Sequence, residues 1–299
     1  MLRTYCRLGL PGSRRLLWRA LSSNGWEGKE TARLKPHGYR MVLDLAQVHD
    51  RWSYLVGQYY EGLTQRLLLD LLRPGESFVD VGANIGHLTL TAAHRLGPTG
   101  RVLSFEPNPL VYARLSTNID LNALGTTVKA HNLALGATRG TLRLSVPVEG
   151  TGGATLGKLG SEYSGDLASQ FDVAVDTGDA HCADISGPLV VKIDVEGFET
   201  FVVQGLAATI TRSRPALIVE AWPEHLRNSG SSIEALFALA HEMGYRVYAL
   251  RDRSDSKSRR TPEPLLRYVL NSGSELSDDI VWLHPEGVHM QRVAHAIEG

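Results

Sequence analysis

Phe78-Val79-Asp80-Val81-Gly82-Ala83-Asn84-Ile85-Gly86 and, much further along, Val191-Lys192-Ile193-Asp194-Val195-Glu196-Gly197-Phe198-Glu199 share one pattern. Each is a short apolar run that ends abruptly in acids and glycine. A buried parallel strand reads as a continuous apolar run, and open α/β sheets bind their ligands at the carboxyl ends of such strands. Two such ends in one chain predict a cofactor site with a reaction site beside it.

Outward from these stretches the chain keeps a βα rhythm. Tyr39–Leu45 reads as a strand, and residues 61–72 as a helix on the spacing of Leu63, Leu67 and Leu71, stopped by Pro74-Gly75. Phe78–Val81, Arg101–Phe105 and Thr127–His131 are strands, separated by helices from Gly86 to Leu96 and after Pro107-Asn108-Pro109. From Gly136 to Ile185 the rhythm breaks: Thr141–Val146 and Phe171–Val175 read as strands around the glycine-rich Glu149–Gly165. Leu189–Asp194 resumes the sheet, and Phe198, Phe201, Val202, Gly205 and Leu206 fall on one helical face. Ala216–Glu220, Tyr245–Leu250 and Asp279–Leu283 are the last strands, the final two joined by the polar loop Arg251–Thr261. The expected fold is α/β: a doubly wound sheet with an antiparallel edge and a β-rich insertion at about 137–185, forming one domain over 39–299.

Bulk properties narrow the class. The 299 residues carry a net charge of −1, 43% hydrophobic and 21% charged residues, values ordinary for a globular enzyme and without the basic excess that nucleic acid would call for. Cys6 and Cys182 are too few for a disulfide framework or a zinc ribbon. No apolar stretch approaches the ~20 residues of a membrane span. A cytoplasmic protein is expected. Arg3, Arg7, Arg14, Arg15 and Arg19 precede the first acid, Glu27, so residues 1–38 read as a loosely ordered basic leader; organellar targeting and contact with an anionic membrane surface stay open. Oligomeric state is not legible.

The link from Asp80 to Gly86 lets the backbone turn tightly and offers free N–H donors at a helix start. A dinucleotide fingerprint needs G-x-G-x-x-G, and Asn84 fills the middle glycine. Glu106 ends the next strand, where an acid accepts hydrogen bonds from ribose hydroxyls. A nucleoside without a phosphate cradle follows: S-adenosylmethionine, with Asp80 near its ammonium group or sulfonium. Asn132 and Ala134 follow the third strand, where adenine would lie. The bland alternatives are that Gly82 and Gly86 only tighten a turn, that Glu106 caps the Pro107 segment, and that Asn132 satisfies its own turn.

At these residues the chain resembles the FkbM family of S-adenosylmethionine-dependent methyltransferases. The likeness rests on Asp80–Gly86 (DVGANIG), Phe105–Pro109 (FEPNP), Asn132–Gly136 (NLALG), Lys192–Glu199 (KIDVEGFE), Pro215–Glu220 (PALIVE) and Gly57–Leu68. It implies the class I methyltransferase (Rossmann-like) fold with a mostly parallel seven-stranded sheet. It also implies O-methylation of a hydroxyl on a sugar, glycan or polyketide-like metabolite. One departure is Thr177-Gly178-Asp179, where the family has a Leu-Asp pair, leaving the role of Asp179 open.

Alternation along Leu189–Asp194 puts Lys192 and Asp194 on one face. A buried lysine is costly unless paired. Asp194 is the expected general base that takes the acceptor's proton, Lys192 holds it or orients the hydroxyl, and Glu196 and Glu220 are second choices. The alternative is an ion pair that only steadies the sheet. Trp222–His225 reads as acceptor wall, and His87 as either facing the site or satisfied elsewhere. The eleven histidines offer no ligating spacing, so no metal is expected. The competing functions are a nicotinamide-dependent oxidoreductase and a non-catalytic nucleoside-binding module.

Overall fold

Strand order explains why the two stretches meet. The computed structural model describes residues 13–23, 25–147, 156, 167–253, 263–269 and 278–298. Its strands are β1 (Lys29–Leu34), β2 (Tyr39–Asp44), β3 (Ser77–Val81), β4 (Arg101–Phe105), β5 (Val128–His131), β6 (Ala134–Leu135), β7 (Gly140–Pro147), β8 (Leu167–Asp176), β9 (Leu189–Ile193), β10 (Ala216–Glu220), β11 (Arg246–Asp252), β12 (Pro264–Val269) and β13 (Asp279–Leu283). The main sheet has eight strands in the order β12-β11-β13-β10-β9-β3-β4-β5. Pairings from β5 to β10 are parallel, and β13, β11 and β12 add an antiparallel edge. The chain winds from β3 outward through β4 and β5, then returns to β9 on the other side of β3. The switch point between β3 and β9 is where doubly wound sheets open their binding crevice.

The sheet separates two cores. Phe78, Val190, Ile218, Tyr248 and Val281 pack on one face with Leu67, Leu68 and Leu71 of the helix Gly62–Leu71. Val79, Val81, Val191, Ile193, Leu217 and Trp282 pack on the other with Val202, Val203, Leu236 and Phe237. Burial on both faces is why these strands carry no polar alternation except at their ends.

Two features differ from expectation. The sheet has eight strands rather than seven, because β12 lies between β11 and β13 in sequence and pairs with β11 at the edge. Its leading Pro264 has no N–H to donate, which the first position of an edge strand tolerates. The polar loop expected at Arg251–Thr261 lies outside the described residues from 254 onward. The β-rich insertion is a separate sheet of order β6-β8-β7, and the glycine-rich segment within it falls outside the described residues apart from Leu156.

Second, β1 pairs with β2 from Lys29↔Asp44 to Leu34↔Tyr39, so a hairpin straddles the boundary expected at residue 38. Leu17, Ala20 and Leu21 of the helix Ser13–Leu21 pack on Leu55. Buried Arg51 ties this layer down by donating to the carbonyls of Leu21, Ser23, Leu45 and Ala46. Arg3 and Arg7 lie outside the described residues. Among the described residues, no helix is long and apolar enough to cross a membrane.

Candidate active site

Register across the switch point aligns Ser104, Asp80, Lys192 and Ile218 in one row. Asp80 is 2% exposed, and Thr89 Oγ1 donates to it at 2.5 Å. Burial raises its pKa to about 6, although that hydrogen bond and the charge of Lys192 oppose the rise. The carboxyl is therefore engaged inside the protein, on Thr89.

The turn after β3 is built by close contacts. Gly82 has φ +83°, and a methyl group there would sit 1.7 Å from the carbonyl oxygen of Asp194. Only glycine lets the two strand-end turns touch. Gly86, at φ +96°, leaves room for Leu115 in the same way. The amides of Gly82 and Ala83 donate to the Phe105 carbonyl, both at 3.0 Å.

Glu106 is 7% exposed, and its two oxygens accept from the amides of Asn84 and Asn108, each at 2.9 Å. Burial lifts its pKa to about 7 against those two bonds. A carboxylate oxygen accepts two hydrogen bonds, so each keeps one acceptor position, which fits the paired hydroxyls of a ribose. Asn132 donates from Nδ2 to the carbonyls of Glu106 and Pro107 at 2.8 and 3.0 Å, bracing the corner below that acid. Ala134 is buried in β6 opposite Val175.

On the β9 side, Lys192 is 2% exposed and donates to Asp194 at 3.4 Å and Asp279 at 3.1 Å. Burial works against its charge, yet Asp194, Asp279, Glu61 and Glu220 outweigh burial and raise its pKa well above the ordinary lysine range. Asp194 keeps 27% of its side chain exposed, beside the turn at Gly82. Asp279 also accepts from Thr64 Oγ1. Burial, with Asp194 next, raises the pKa of Glu61, which precedes the helix carrying Thr64. Tyr59 stacks on His87 at 4.4 Å and Tyr60 on His49 at 4.2 Å. His87 is thus buried, and its pKa falls to about 3.

Asp279 and Glu61 were not among the expected site residues. The rule of an acid at a strand's carboxyl end passes over Asp279, which opens β13. Antiparallel pairing with Glu220 nonetheless brings it to the same rim. For Glu61, the signal was its place in the Gly57–Leu68 segment, just ahead of an apolar helix.

The turn after β9 has its own brace. Glu199 accepts from the amides of Val195 and Gly197 at 3.1 and 3.0 Å. Glu196 takes a left-handed φ of +53° and lies 2.9 Å from His225 Nδ1. Gly197 packs under His225, whose carbonyl oxygen would be 2.2 Å from an added methyl. Burial, then Asp194 and Glu196, hold the pKa of Glu220 far above the usual carboxylate range. Donor atoms of Glu196, Glu220 and His225 all lie within 4.8 Å of one another. Trp222, at the start of the same helix, is 43% exposed. Asp179 has a structural role: it accepts from the amides of Ala208 and Thr209 at 3.0 and 2.7 Å, capping the helix Ala207–Ser213.

The family model "Methyltransferase FkbM domain" matches residues 80–247, which include both turns, Glu106, Lys192, Asp194 and Glu220. The chain is 29% identical over 205 residues to methyltransferase sdnD of Sordaria araneosa, covering 59% of this chain and 75% of that protein. It is 32% identical over 142 residues to the hexuronic acid methyltransferase AglP of Haloferax volcanii, covering 47% of this chain and 54% of that protein. Among solved structures, methyltransferase FkbM from Methylobacillus flagellatus KT aligns with a TM-score of 0.41 at 14% identity, over 92% of this chain and 60% of that one.

Proposed function

Since the chain belongs to the FkbM methyltransferase family and is an S-adenosylmethionine-dependent methyltransferase, we propose that it methylates a hydroxyl group of a sugar, glycan or similar hydroxylated metabolite, with Asp194 as the general base. One observation carries this proposal. Asp194 is the partly exposed acid at the switch point, its carbonyl against Gly82 and its carboxylate held by a protonated Lys192.

Glu106 holds the donor's ribose through its two spare acceptor positions, and the turn from Gly82 to Gly86 shapes the wall beside it. The bound donor supplies an electrophilic methyl group. An alcohol is a weak nucleophile, and its proton must leave as its oxygen attacks. Asp194 accepts that proton. Lys192 stays charged and fixes the carboxylate's orientation, while Asp279 and Thr64 fix Lys192 in turn. Alignment of the acceptor contributes the rest of the acceleration. Exposed Trp222 and Tyr60 offer flat apolar faces of the kind that a sugar ring covers. The hexuronic acid acceptor of one relative points to the same chemical class.

The test uses radiolabelled S-adenosylmethionine with neutral sugars and uronic acid-containing oligosaccharides. The expected product carries an alkali-stable methyl ether, and Asp194→Asn lowers turnover by about a hundredfold or more, within the usual range for losing a general base. An alkali-labile methyl ester would move the reaction to a carboxyl acceptor. Unchanged turnover in Asp194→Asn would remove that residue from proton transfer.

A further inference from the structure

The geometry points to a second binding site beside the proposed base: Glu196, Glu220 and His225 form a three-donor site for a divalent transition-metal cation such as Mn²⁺ or Zn²⁺. The three side chains come from three segments: the turn after β9, the end of β10, and the helix Pro223–Asn228. Their donor atoms lie within 4.8 Å of one another. Gly197 packs against the His225 carbonyl and Glu199 holds the turn by two amides, so the segments bearing Glu196 and His225 are fixed relative to each other.

His225 Nδ1 is shielded from solvent and lies 2.9 Å from Glu196 Oε2. Two ligands of one ion have this relation: bonds of about 2.1 Å meeting near a right angle leave the donors roughly 3 Å apart. Lys192 donates to Asp194 and Asp279. One imidazole with two carboxylates suits Mn²⁺ or Zn²⁺ better than Mg²⁺ or Ca²⁺, which favour all-oxygen sets. What such an ion would do rests on the methyltransferase reading: it would hold an acceptor oxygen and ease transfer of its proton to Asp194. The competing explanation is a Glu196–His225 ion pair that only ties the turn to the helix.

The full chain, stripped with a chelator, is titrated with Mn²⁺ by electron paramagnetic resonance and with Zn²⁺ by calorimetry, and S-adenosylhomocysteine affinity is measured on the same samples. One ion per chain is expected. Spin-echo modulation on wild-type protein should show an imidazole nitrogen bound to Mn²⁺. Glu220→Gln and His225→Gln should each weaken the ion by at least about tenfold, a typical cost for a perturbed metal site, while Asp172→Asn on exposed β8 leaves it unchanged. Stoichiometric binding that survives both Glu220→Gln and His225→Gln would overturn the site, as would the absence of any bound ion in protein that still binds S-adenosylhomocysteine. Loss of S-adenosylhomocysteine binding in the wild-type chain would instead overturn the methyltransferase reading, whatever the metal result.

Discussion

The turn after β3 and the turn after β9 are two versions of one backbone design with opposite electrostatics. Each follows a buried strand, holds one non-glycine residue in left-handed conformation, Asn84 at φ +48° and Glu196 at φ +53°, and is braced by a buried acid that accepts backbone amides. Glu106 braces the first and Glu199 the second. The first turn is otherwise nearly neutral, its one strand acid engaged by Thr89. The second sets Asp194 and Glu220 near a single lysine, with Glu61 and Asp279 facing it and Glu196 beside Glu220. The same local construction thus yields a quiet wall for a nucleoside and a charged rim that can move protons. Side chains arriving from β10, β13 and the Gly62–Leu71 helix make the difference, not the turns themselves.

The largest expected effect comes from forcing the two turns apart. Gly82→Ala puts a methyl group into the Asp194 carbonyl and places alanine at φ +83°. Overpacking and left-handed strain together should cost about 3 kcal/mol or more in denaturant unfolding. A variant as stable as wild type would mean that the turns do not depend on this contact.

Next is Lys192→Met, which strips the second turn of its cation. Breaking a buried pair costs about 3–5 kcal/mol. The loss should be largest between neutral pH and about 10, below the ordinary lysine pKa, and shrink in acid, where the orphaned carboxyls take up protons. A cost independent of pH would mean that Lys192 is packing rather than charge balance.

Glu106→Gln sharpens the comparison from the other side. Each hydrogen bond to a charged acceptor is worth about 1.5–3 kcal/mol, so S-adenosylhomocysteine should bind about tenfold or more weakly. The pKa of Glu106 is raised to about 7 by burial, and only its ionised form accepts from both ribose hydroxyls without offering a proton. Wild-type affinity should therefore rise as pH climbs through about 7, and calorimetry on Glu106→Gln should show no such rise.

The smallest effect belongs to neither turn. Asp179→Ala removes a helix cap worth about 1 kcal/mol and should leave S-adenosylhomocysteine affinity untouched. A change in that affinity would bring Asp179 into the site.

Much of this was legible in the sequence because strands buried on both faces must be apolar until they end. That rule locates β3, β4, β9 and β10, and with them Asp80, Glu106, Asp194 and Glu220. It passes over β1, where Lys29, Glu30 and Arg33 of an exposed hairpin edge give no apolar run, and β12, where a proline opens an edge strand. Asp279 was hidden for a related reason: it starts an antiparallel strand, and only the sheet order shows that this start shares a rim with parallel strand ends. The tight fit at Gly82 was equally hidden, since the atom that it makes room for belongs to residue 194. Pairwise facts between distant segments are where one-dimensional pattern fails.

A crystal structure with S-adenosylhomocysteine bound bears most directly on the division of labour between the turns. The expected result has both ribose hydroxyls on Glu106 and the sulfur facing the Asp194 carboxylate across the contact at Gly82. A nucleoside seated anywhere else, or a sulfur turned away from Asp194, would contradict it.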